Sequence, residues 1–231
     1  MYRPNIRVNS LIQKLVLLCF LCLAVWLAFS AARFGAANIA SQALNHSIVR
    51  WQGDYAVGNH VQPEDINNAK SLISTLDTLH GDHPHYASLN ASAYIWMSIL
   101  QPLKRAQYLE LAHDNALRSF HSRPLWTPTS ASLARIAYYR DEPFSVWLSL
   151  TNKYGRYVNE TYMAHVEIGF GSWQELSPQQ KRDSVKYLLA GTDTGNLRAQ
   201  LTPIVTVSPG KVKICRFLAA TGRSSKGPCD D

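Results

Sequence analysis

Residues 88–120, SLNASAYIWMSILQPLKRAQYLELAHDNALRSF, decide the fold. Leu89, Ala93, Trp96, Ile99 and Leu100 recur at roughly helical spacing up to Pro102. Beyond it, Tyr108, Leu109, Ala112, Ala116, Leu117 and Phe120 resume the same period. Residues three and four apart share one face of a helix, so each half reads as a helix with an apolar stripe. A short proline-marked break between two such stripes makes an antiparallel pair.

The same punctuation continues in both directions. Upstream, Pro63-Glu64-Asp65 opens a helix, with proline in the first turn and acids at the positive end of the helix dipole. Ile66, Ala69, Leu72, Ile73, Leu76 and Leu79 mark its stripe, and the segment 80–84 breaks it. Downstream, Arg123-Pro124-Leu125-Trp126-Thr127-Pro128 leads into a helix over 129–139, with Leu133, Ile136 and Ala137 buried. Pro143 starts another, through Val146, Trp147 and Leu150, which Gly155 ends. A short helix over 162–168 stops at Gly169 and Gly171, and Ser177-Pro178 caps a helix over 179–189. A last helix spans 194–205, with a break at Pro203. Val205, Val207, Val212 and Ile214 alternate like a strand, but Pro209-Gly210 splits them, which allows at most one small hairpin. The expected fold class is all-α.

Residues 15–32, LVLLCFLCLAVWLAFSAA, carry no charge over 18 positions, enough to cross a bilayer as a helix. Arg3, Arg7 and Lys14 precede them, which predicts a cytoplasmic N-terminus and an exported domain. Trp26 and Phe29 lie near the outer end of the span. The rival reading is a cleaved signal peptide, with Ser30, Ala31, Ala32, Ala36 and Ala37 as cleavage-site residues; the length of the apolar run favours the anchor. The expected organisation is a cytoplasmic stub and transmembrane anchor over 1–35, a membrane-proximal segment over 36–62, a helical domain over 63–206 and a C-terminal tail over 207–231.

Composition is that of a globular chain, 46% hydrophobic and 17% charged. The net charge of +7 is dispersed, and the basic tail of Lys211, Lys213, Arg216, Arg223 and Lys226 closes on Asp230 and Asp231. No run of Lys and Arg is dense enough for a nucleic-acid partner, so none is expected. Cys19 and Cys22 fall in the anchor. Cys215 and Cys229 are the two cysteines of the exported part, where such a pair commonly bridges; the alternative is two free thiols on the tail.

The candidate chemistry is sparse. His80, His83 and His85 with Asp82 form a dense cluster, but Pro84 restricts its geometry and no fourth protein ligand is evident; a polar interhelical loop is the plainer reading. His113 and Asp114 are adjacent on a helix and point apart. Ser122, Ser130 and Ser132 lack a nucleophile elbow, and Glu160, Glu167 and Glu175 are irregularly spaced. No metal, cofactor or catalytic set is expected. Aromatics are concentrated over 126–173, and Arg123 and Arg135 lie among them. Aromatic faces stack on sugar rings and partner side chains, and guanidinium groups pair with carboxylates. Arg123, Trp126, Arg135, Tyr138, Tyr139 and Trp173 are therefore the candidate contacts for a partner or glycan, against the plainer reading of core packing.

A tetratricopeptide-like frame starting at Ala93 places Trp96, Ile99, Ala112, Ser119 and Pro124 at the positions that the motif fills with Trp, Leu, Ala, Ala and Pro; Leu133 and Ala134 continue it before the frame is lost. Across residues 104–190, Arg123-Pro124 with Trp126, the Leu133-Ala134 pair, Gly155, Gly169 and Trp173 resemble the VpsP-like accessory proteins of exopolysaccharide biosynthesis. The chain departs from that pattern at Arg156-Tyr157, where a Pro-Trp pair is expected. The resemblance implies a tetratricopeptide-like helical array behind an N-terminal transmembrane helix. It further implies a non-enzymatic accessory of exopolysaccharide production or export, in the bacterial inner membrane with its domain in the periplasm. Its partners would be the membrane, proteins of polysaccharide assembly and the polysaccharide itself. The alternatives are a periplasmic lyase or hydrolase acting on the polymer, or a structural component of another cell-envelope complex.

Overall fold

The structure, a computed structural model, describes residues 6–223 and Cys229. Arg3, Lys226, Asp230 and Asp231 lie outside these residues, as does the side chain of Arg7. All regular structure among the described residues is helical: ten α-helices and one 3₁₀ turn over Pro102–Lys104.

The first helix, α1, runs unbroken over Ile6–Ala56, 51 residues. At 1.5 Å per residue that is about 75 Å of helix. Its two parts have different surroundings. From Gln13 to Phe29 the side chains are exposed, including Leu17, Phe20, Val25 and Phe29. From Ala37 onward, Ala40, Leu44, Ile48 and Trp51 form a buried stripe at three- and four-residue spacing. The segment 36–62, expected as a membrane-proximal stretch, thus supplies part of the domain's core through the last twenty residues of α1.

The remaining helices follow as pairs. They are α2 (Pro63–His80), α3 (Pro84–Leu100), α4 (Arg105–Ser122), α5 (Thr127–Tyr139), α6 (Ser145–Tyr154), α7 (Asn159–Gly171), α8 (Pro178–Asp193), α9 (Gly195–Val207) and α10 (Lys211–Ala220). Prolines at 63, 84, 128 and 178 sit in first helical turns, where the missing N–H costs nothing. Ser177 begins α8 with a capping box: its hydroxyl accepts from the Gln180 backbone, and the Gln180 side chain accepts from the Ser177 N–H.

Each odd helix packs on the next, α1 on α3, α3 on α5, α5 on α7 and α7 on α9, and α9 returns to contact α1. Even helices pack outside on the flanking odd ones. Four apolar clusters follow this order, shared between successive groups of helices. The first joins Leu44 and Trp51 to Ile73 and Trp96; the next joins Ile95 to Ala112, Leu133 and Ile136. The third joins Ala134 to Leu148 and Ile168; the last joins Phe170 to Tyr187, Leu201 and Leu218. An inner helix must be buried on several faces, and α7 is: Ala164, His165, Val166, Glu167 and Ile168 are all buried in consecutive positions.

Two expectations are corrected. Val205 to Ile214 holds no hairpin; α9 continues through Val207, and α10 begins at Lys211. Val205 and Ile214 are both buried in the same cluster, so burial overrides the weak strand preference of β-branched residues. The segment 207–231, expected as a tail, therefore contributes a docked helix, whose Cys215 is joined to Cys229 with Cα atoms 5.5 Å apart. α7 ends at Gly171, as the sequence predicts, and both glycines also admit close neighbours: a Cβ at Gly169 would run into Ser184 and one at Gly171 into the Tyr138 hydroxyl. They permit close helix approach.

Leu44 is fully buried although only a few turns separate it from the apolar exposed run. Leu44→Ala is expected to cost about 2–5 kcal/mol, a core value, whereas Val49→Ala on the exposed side costs about 0.5 kcal/mol or less. Chemical denaturation of the detergent-solubilised full chain checks this. His165 is 1% exposed, and burial pushes its pKa down to about 4. The unfolded chain takes up that proton near pH 6.5. Stability is therefore intact above 6.5 and falls as pH drops towards 4, by about 3 kcal/mol. His165→Gln should flatten that part of the stability–pH curve.

Candidate functional site

The odd helices surround a cavity of about 250 Å3, between the C-terminal part of α1 and the earlier turns of α5 and α7. Ile48 of α1, Leu89 and Trp96 of α3, Trp126 and Arg135 of the α5 segment, and Met163 of α7 line it. Around their C-terminal halves lies a second cavity of about 390 Å3, lined by Tyr55, Tyr138, Tyr139 and Glu167. Trp96 and Ile204 line both cavities. Arg135 faces the first and Glu167 the second, so their ion pair lies between them.

That pair is the most organised polar group in the fold. Arg135 Nε donates to Glu167 Oε2 at 2.6 Å, and Nη2 to Oε1 at 3.3 Å. The Tyr139 hydroxyl also donates to Oε1. The two charged side chains are only 13% and 11% exposed. The guanidinium lies 5.9 Å from the Trp96 ring centroid. Arg105 closes the group from outside, 5.3 Å over the Tyr139 ring and donating to the Tyr139 carbonyl at 3.0 Å.

The electrostatics follow from this packing. Burial acts to discharge Arg135, but the Glu167 carboxylate and the Tyr139 hydroxyl outweigh it and hold the guanidinium charged. Burial first, and the Glu167 charge second, raise the Tyr139 hydroxyl well above its usual range. Tyr138 is raised for the same two reasons. Both phenols therefore stay protonated, and Tyr139 acts as a donor. With a fork of two guanidinium bonds and a phenol on one carboxylate, the group clamps α5 to the adjacent α7.

Arg123 and Trp126 lie at the rim of the first cavity. The Arg123 guanidinium is 5.3 Å from the Trp126 ring centroid, and the His85 ring is 5.6 Å away on the neighbouring helix. The histidines of the 80–85 segment pack on aromatic rings: His80 stacks on Phe34 at 4.1 Å, His83 lies on Tyr86 at 4.5 Å, and His85 meets Trp126. No group of three metal-ligating side chains is gathered among the described residues. Ser132 lines the first cavity, while Ser130 donates to the Thr127 carbonyl within its own turn.

Of the six sequence-chosen contacts, the structure brings Arg135, Tyr138 and Tyr139 to the ring centre and Arg123 and Trp126 to its rim. Trp173 stands apart, stacked on Phe170 at 5.3 Å, with the Lys213 ammonium 5.0 Å from its ring in a separate concavity. Sequence reasoning set Glu167 aside for its irregular spacing and did not read Trp96 as a cavity residue. The one signal for the carboxylate was the spacing of Arg135 and Tyr139, one turn apart on a single face.

Removing one partner of a buried pair strands the other's charge. Arg135→Met and Glu167→Leu are each expected to cost about 3–5 kcal/mol, and the double variant less than the sum. Chemical denaturation of the four proteins checks this; additive losses would mean that the pair is not coupled. Compared with protein-family models, curated proteins and solved structures, the chain matches none.

Proposed function

We propose that this chain is a membrane-anchored, non-enzymatic accessory of exopolysaccharide biosynthesis or export, acting through protein contacts made by its helical domain. The observation that carries the reading is α1, which joins an exposed apolar stretch directly to the domain core. One helix of that length and composition near the N-terminus suits a single span. The Cys215–Cys229 bond suits an oxidising compartment, consistent with a bacterial inner-membrane protein whose domain lies in the periplasm. The alternating helix pairs suit a tetratricopeptide-like scaffold for protein contacts. The resemblance across residues 104–190 supplies the pathway, and Trp126 with Arg123 at the cavity rim supplies a surface for a partner or glycan.

Deleting the gene should lower extracellular polysaccharide measured chemically, and the full chain should restore it. An Arg123→Ala/Trp126→Ala variant should restore less polymer at equal membrane abundance. Unchanged polymer in the deletion strain would remove the assembly role.

A further inference from the structure

The geometry points to a second membrane contact, beyond the span: the end of the domain that holds the turns before α3, α5 and α7 rests on the lipid headgroups. This rests on reading α1 as the anchor.

The constraint comes from the absence of any linker. The apolar run ends at Ala32, and the next two residues already belong to the domain. Arg33 donates to the Leu79 carbonyl at the end of α2, and Phe34 stacks on His80. From there a row of contacts crosses the end of the domain. His80 and His83 both meet Tyr86, His83 meets His85, and His85 meets Trp126. Thr127, the next residue, packs so closely on Gly155 that a Cβ there would collide with it. The turns before α3, α5 and α7 therefore share one end of the fold, the end from which the exposed part of α1 projects.

The surface there suits a headgroup layer. Tyr157 is 84% exposed, Leu125 64% and Phe34 51%. Arg123 and Arg156 are exposed beside them. Aromatic and cationic side chains are favoured at the interface, where rings sit at headgroup level and cations meet lipid phosphates. Of the carboxylates at this end, Asp77 pairs with Arg118 and Asp193 with Arg223, while Asp82 is exposed and Glu160 lines the first cavity. The opposite end, with the fully exposed Leu103, faces water.

The test uses the full chain with Cys19→Ala and Cys22→Ala, reconstituted in phosphatidylcholine–phosphatidylglycerol vesicles. Nitroxide labels are placed singly at Leu21→Cys, Leu125→Cys, Tyr157→Cys and Leu103→Cys, and access to oxygen and to a water-soluble nickel reagent is measured. Labels at 125 and 157 should show headgroup depth, with nickel access several-fold below that at 103. Nickel access at 125 and 157 equal to that at 103, with the label at 21 protected, overturns the docked end alone. Nickel access at 21 overturns the anchor and the docked end together.

Discussion

The burial of one stripe of α1, from Ala37 through Leu44 to Trp51, is the constraint on which the rest of the structure depends. A helix cannot bend freely between turns without breaking its hydrogen bonds. Fixing this stripe in the core therefore fixes the direction of the exposed apolar stretch that precedes it. It also seeds the first apolar cluster, on which α2 and α3 close, and it receives α9 at the other end of the array. The same helix thus joins the first and last layers of the domain.

The ring that results has a polar centre. Five helices meeting around an axis leave a space that aliphatic side chains alone do not fill here; Arg135, Glu167 and Tyr139 occupy part of it and divide it into two cavities. A buried pair of this kind contributes little net stability against an apolar replacement, because desolvation offsets the attraction. Its effect is on register. Two guanidinium bonds and one phenol hold α5 and α7 in a single relative position, which keeps the shape of both cavities.

Much of the fold was legible in the sequence, because proline and the three–four apolar period are strong local signals. Pro63, Pro102 and Ser177-Pro178 mark real boundaries, and the paired helices over 88–120 are those observed. The failures fell where local signals and tertiary packing disagree. Residues 205–214 alternate like a strand, yet Val205 and Ile214 are buried on two successive helices, and Gly169 and Gly171, at the end of α7, prove also to be contact points. The site was less legible. Arg135 and Tyr139 were selected for their chemistry, yet their partner Glu167 lies 32 residues beyond Arg135, on another helix, and no local pattern marks such a pair. Trp96 read as plain core because its stripe is apolar; its second face, towards the cavities, depends on α9 returning to α1.

The central claim is that one uninterrupted helix carries both the exposed apolar stretch, long enough to span a membrane, and the buried stripe of the domain core. Residue-resolved hydrogen exchange on the full chain in lipid nanodiscs tests it most directly. Slow exchange should run without a gap from the apolar stretch through Arg33 and Phe34 to Trp51. A fast-exchanging joint at residues 33–37, or a mature protein that begins after Ala32, would contradict it.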